Sequence, residues 1–119
     1  MRFLAALVAG LIGVAPVMAQ QVSTGQGALL RGLDKVNGQV SDMEVGAGGF
    51  VELGRLEIAL KECRYPAGNP SGDAYAYLTI REKSNETPVY EGWMIASAPA
   101  LNGLDHARYD VWVMRCKTN

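Results

Sequence analysis

The stretch Ala74-Tyr75-Ala76-Tyr77-Leu78-Thr79-Ile80-Arg81 alternates without a break. Ala74, Ala76, Leu78 and Ile80 fall on one side of an extended chain, and Tyr75, Tyr77, Thr79 and Arg81 on the other. A period of two belongs to a strand with one face on a core and the other towards water. The segment before it, Tyr65 to Asp73, holds Pro66, Gly68, Asn69, Pro70 and Gly72 and reads as a loop. Further back, Phe50 to Tyr65 reads as one long or broken strand. Leu56, Ile58 and Leu60 share its apolar face, and Arg55, Glu57 and Lys61 its polar one. Strict counting leaves Cys63 on the polar side. A β-bulge near Lys61-Glu62 is therefore predicted, because it turns Cys63 inward.

Gly46-Ala47-Gly48-Gly49 is a turn, and the segment before it carries Asn37-Gly38 between two extended pieces, Leu29 to Val36 and Gln39 to Val45. Asn-Gly favours a two-residue type I′ hairpin turn, since both positions need positive φ. In that register Lys35 and Asp42 are diagonal neighbours and Asp34 faces Ser41. The imperfect alternation predicts that this hairpin is at an edge or partly exposed. Beyond Arg81, Glu82 to Thr87 is a polar turn and Pro88 to Ala96 a strand carrying Trp93 and Met94. Ser97 to Gly103 reads as one short helical turn, with Ser97 as cap and Gly103 as stop. Tyr109 to Cys116 has apolar residues on both faces, which predicts a central strand. The fold class expected is all-β: a small antiparallel β-sandwich or partly open barrel, with one short helical turn and one disulfide.

Met1-Arg2 and the uncharged, mostly apolar run from Phe3 to Met18 end in Val17-Met18-Ala19. That pattern predicts a signal peptide, residues 1–19, cleaved between Ala19 and Gln20. A flexible stretch, residues 20–27, and a single β domain, residues 28–119, are expected to follow. The expectation is a soluble periplasmic protein with no membrane anchor in its mature form. Removing Arg2 leaves ten basic against twelve acidic residues, a net charge of −2. Such a balance argues against nucleic-acid binding and against a polybasic membrane patch. The two cysteines, Cys63 and Cys116, are expected to form a disulfide in an oxidising compartment. A nucleophilic cysteine served by His106 is the rival reading. CxxC spacing, with the redox or zinc chemistry it suggests, is absent.

The pieces LRGLDKVNGQVSDMEVGAG, LGRLEIALKECRYP, AYLTI and YEGWMIASAPALNGLDHARYDVWVMRC carry a resemblance over nearly the whole mature chain. The last piece is the most specific, from Gly92-Trp93-Met94 through Asp105-His106 to Tyr109-Asp110-Val111-Trp112 and Cys116. The chain resembles the exported alphaproteobacterial domain-of-unknown-function family 2155. Asp105 and Ala107 stand where Glu and Pro are expected. The resemblance implies a periplasmic location and a shared fold, and it brings no assigned activity.

The best candidate binding surface is the C-terminal connector with its neighbours: Trp93, Ser97, Asp105, His106, Arg108, Tyr109, Asp110 and Trp112. Aromatic residues beside a few polar groups suit a ligand. The plainer reading makes Trp93 and Trp112 core, Ser97 a cap and Asp110 a loop tie. Ser97, His106 and Asp105 or Asp110 can be written as a triad, but no nucleophile elbow accompanies Ser97. Asp105, His106 and Asp110 offer a metal one imidazole without helical spacing. Glu57 and Glu62 invite a glycosidase reading, though a solvated strand face shows such residues anyway. Tyr75 and Tyr77 suit sugar stacking or protein docking, and the plainer reading makes them half-buried sheet residues. Gly46 to Gly49 lacks the Lys and helix of a phosphate cradle. The function expected is a non-enzymatic envelope module that binds a protein or a glycan, with no catalytic residue, metal or cofactor. The rivals are an inhibitor of a cell-wall hydrolase, probing with Tyr65 to Asp73, and a small hydrolase using His106. Oligomeric state is left open.

Overall fold

The alternating stretch becomes an inner strand of a two-sheet sandwich in the computed structural model, which describes residues 21–118. The predicted signal peptide and its cleavage point lie outside the described residues. Eight strands run in order: β1 Val22–Thr24, β2 Gly27–Asp34, β3 Gln39–Gly46, β4 Phe50–Leu53, β5 Leu56–Pro66, β6 Tyr75–Glu82, β7 Tyr90–Ile95 and β8 Tyr109–Lys117. One sheet is ordered β1-β5-β6-β7, with β4 also paired to β5; the other is β3-β2-β8. Every pairing is antiparallel. The sheets do not close into a barrel, so the sandwich is the form the all-β fold takes.

Ala74, Ala76, Leu78 and Ile80 are fully buried, as are Leu56 and Ile58 of β5. They meet Ala28 and Leu30 of β2 and Tyr109, Val111 and Val113 of β8 in one core. Each fully buried leucine or isoleucine stabilises the fold by roughly 1.5–3 kcal/mol. The pairing of β5 with β6 slips between Leu60 and Glu62, where the bulge is predicted. Cys63 is thereby fully buried and bonded to Cys116, with their Cα atoms 5.6 Å apart. The bond joins β5 to β8 and so staples one sheet to the other.

Several local expectations are corrected. Residues 22–24 are not frayed: β1 pairs with β5, Val22 opposite Pro66 and Thr24 opposite Arg64. The N–H groups of Gly25 and Gln26 donate to the carbonyls of Cys63 and Lys117. The hairpin after β2 has a four-residue connection instead of a two-residue turn, with Asp34 opposite Gln39 and Arg31 opposite Asp42. Side chains widen it: Asp34 accepts the Val36 N–H at 3.0 Å and Asn37 the Gln39 N–H at 2.8 Å. The slip is two residues, so every side chain keeps its face. Lys35 consequently leaves Asp42 and donates to the His106 carbonyl at 2.6 Å.

Phe50 to Tyr65 is broken by a tight turn at Gly54-Arg55, with Leu53 opposite Leu56. Gly54 sits at φ +57°, where an L side chain is strained. β3 is an edge strand as expected, but β8 is an edge rather than the centre of its sheet. Its second apolar face, Trp112 and Met114, is partly exposed instead of buried. The expected helical turn is two successive turns, Ala98 N–H to Ile95 O and Leu101 N–H to Ala98 O.

Candidate functional site

The outward residues of β6 and β7 meet in register: Tyr75 opposite Ile95, Tyr77 opposite Trp93 and Thr79 opposite Glu91. The Tyr77 and Trp93 rings are 5.3 Å apart at 82°, an edge-to-face contact favoured by their quadrupoles. From β5, the Arg64 guanidinium lies 5.0 Å over Trp93, and the Lys61 ammonium 5.5 Å over Tyr77. Lys61, already on the outward face, is the residue the bulge leaves without a partner on β6. A fork to Glu62, at 2.9 and 3.0 Å, holds Arg64 in place. Val22, Arg64, Tyr75, Trp93 and Ile95 line a shallow groove of about 320 Å³ on this face. Trp93 is thus a surface residue beside the two tyrosines. Arg64, Lys61, Ile95 and Val22 were not singled out from the sequence. The bulge turns Arg64 outward, the β1 pairing brings Val22, and the β6–β7 pairing sets Ile95 opposite Tyr75.

The connector forms a separate cluster at the β2–β3 turn. Arg108 forks onto Asp34, with Nη2 3.0 Å from Oδ2. The guanidinium's hydrogen bonds, aided by the N–H groups of Val36 and Asn37, hold the Asp34 carboxyl below the usual carboxylate range against a partial burial effect. His106 Nδ1 accepts two backbone N–H bonds, from Arg108 at 3.0 Å and Tyr109 at 3.2 Å. Its Nε2 lies 3.5 Å from Glu82, and the side chain is only 13% exposed. Two donors on Nδ1 leave the proton of the neutral ring on Nε2. Tyr109 is buried and its hydroxyl accepts the Arg55 N–H at 3.3 Å. Asp110 stands 3.7 Å from Lys35, and Asp105 is exposed.

Ser97 belongs elsewhere again. Its hydroxyl donates to Asp73 at 2.6 Å and its N–H to the same carboxylate at 2.9 Å. Burial pushes the Asp73 carboxyl up, yet these bonds and the Ala74 N–H outweigh it and hold the group low. Ser97 and His106 are thus committed to different partners, so no serine–histidine hydrogen bond forms. Among the described residues, no three His, Cys, Asp or Glu side chains converge on a metal position. Glu57 is paired to Arg81 and Glu62 to Arg64. Trp112 lies on the outer face of the other sheet, beside Arg31, Pro99 and Met114. The eight-residue candidate surface is therefore divided. Asp34 and Glu82 join the connector, and Asp73 joins Ser97. Their long sequence separations hid these pairs.

A family model described as "Uncharacterized protein conserved in bacteria (DUF2155)" matches residues 28–116. An uncharacterised protein of Rickettsia prowazekii (strain Madrid E) is 28% identical over 87 residues, which take up 71% of this chain and 56% of that protein. The chain spans little more than half the length of that relative. No solved structure matches this chain. With the model covering both halves of the sandwich and both cysteines, the chain belongs to this uncharacterised bacterial family.

Proposed function

We propose that this chain is an exported, non-enzymatic module of the cell envelope that binds another envelope component through the outer face of β5, β6 and β7. The observation that carries this reading is the grouping of Tyr75, Tyr77 and Trp93 beside an open groove. Aromatic rings on rigid strands supply large contact area at little entropic cost. The apolar wall of Ile95 and Val22 and the cations Arg64 and Lys61 suit a protein or glycan surface that mixes apolar and polar groups. A periplasmic setting accords with the buried disulfide, because such bonds persist in oxidising compartments. It accords too with the Met1–Ala19 pattern. The connector favours a structural role: His106 is held by backbone donors and Arg108 by Asp34.

Crosslinking in the periplasm, with wild type and Trp93→Ala compared, tests the reading. A partner protein or sugar polymer that wild type retains and a folded Trp93→Ala protein loses is the expected result. Equal retention by both sinks the assignment to this face. N-terminal sequencing of the exported protein should begin at Gln20, and an intact Met1 contradicts export. The inhibitor reading draws support from the loop after β5, whose residues 67–71 are exposed while Ala67 N–H donates to Gln21 O and Asp73 holds Ser97. Exchanging that loop and assaying cell-wall hydrolysis separates the two.

A further inference from the structure

We propose that the free edge of β3 is a docking strand for an extended, basic segment of another protein, at a surface separate from the aromatic face. The other edges carry obstructions. β1 and β4 are three and four residues long. On β7, the Trp93 carbonyl accepts Asn102 Nδ2 at 2.9 Å and the Tyr90 hydroxyl at 3.2 Å, so side chains occupy that edge. β8 is interrupted by a register shift opposite Leu29 and Leu30. β3 differs on each count. It runs eight residues, pairs with β2 along its whole length without a shift and carries no Pro or Lys. Among the described residues, no strand pairs its other side. Alternate residues there turn N–H and C=O groups outward, the template for an added strand.

Charge selects the occupant. Asp42 and Glu44 stand on this rim, and Glu52 of β4 flanks the neighbouring cleft of about 230 Å³, beside Met43 and Leu53. Their cations sit back from the edge: Arg31 on β2 at 2.8 Å, Lys117 on β8 at 3.1 Å and Lys83 after β6 at 2.9 Å. Exposed pairs of this kind are weak, and each carboxylate can accept more than one donor. A second copy is a poor occupant. Antiparallel self-pairing centred on Asp42 sets Asp42 against itself, and centred on Met43 sets Asp42 against Glu44. A strand with Lys or Arg opposite the acids, and an apolar residue beside the half-buried Met43, meets both faces.

The test uses ¹⁵N-labelled protein with its disulfide formed and a capped peptide of alternating valine and lysine. Amide shifts should concentrate on Gln39–Gly46. Asp42→Lys with Glu44→Lys should weaken binding by about tenfold or more and instead bind an alternating valine–glutamate peptide. That exchanged preference is a gain, which an unfolded variant does not produce. The proposal is overturned by absence of shifts at β3, by equal binding of both peptides, by shifts centred on Tyr75 and Trp93, or by self-association of the protein without peptide.

Discussion

Gly54 and Asp34 show how single residues hold this fold in place. A Cβ on Gly54 would overlap the Tyr109 hydroxyl, and the backbone there lies at φ +57°. Gly54→Ala should therefore lower stability by about 1–3 kcal/mol in denaturant titration. Asp34 ties the β2–β3 turn to the connector through Arg108, and its carboxyl is held low by that guanidinium. Asp73 is also held low: burial opposes this, and the bonds from Ser97 and Ala74 prevail. A depressed folded-state value means the contribution is present above the unfolded carboxylate value, about 3.9, and fades as pH falls towards the folded one. Wild type should lose stability on acidification below about pH 4. Asp34→Asn should flatten that limb in pH-dependent melting; an unchanged slope would place the acid sensitivity elsewhere.

At the scale of elements, the β5 bulge does two things at once. It turns Cys63 into the core and Arg64 out over Trp93, leaving Lys61 unpaired above Tyr77. The contact between Tyr77 on β6 and Trp93 on β7 then belongs to a strand pair rather than to either residue. A double-mutant cycle of Tyr77→Ala and Trp93→Ala should return a coupling of about 0.5–1.5 kcal/mol. A coupling near zero would mean that the rings only share an exposed face. The bulge was legible in the sequence because Cys63 fell on the wrong face by count. The hairpin loop was not: Asn37-Gly38 favours a short turn, but the caps by Asp34 and Asn37 stabilise a longer one.

For the whole molecule, the Cys63–Cys116 bond closes a separation of 53 residues between two sheets. In the chain-entropy account such a closure is worth roughly 4 kcal/mol. Cys63→Ser should lower the melting temperature markedly in differential scanning calorimetry. A small change would mean that the sandwich is held by its apolar core alone. Gly32 illustrates the same inter-sheet packing, since a Cβ there would come within 2.7 Å of Leu53 on the facing sheet. The two aromatic surfaces, around Trp93 and around Trp112, lie on outer faces of different sheets. Chain proximity grouped them, and layer packing separates them.

The sequence by itself determined most of the strands, the inward face of β6, the cysteine pair and the bulge, because alternation and turn residues act over a few neighbours. Only the tertiary structure decided which strands are edges, that β1 completes the aromatic face, and which partners Ser97, His106 and Lys35 take. Those outcomes depend on pairings between segments far apart in the chain. Apolar residues on both faces of β8 signalled a central strand. They mark instead an edge whose outer face stays partly open to solvent.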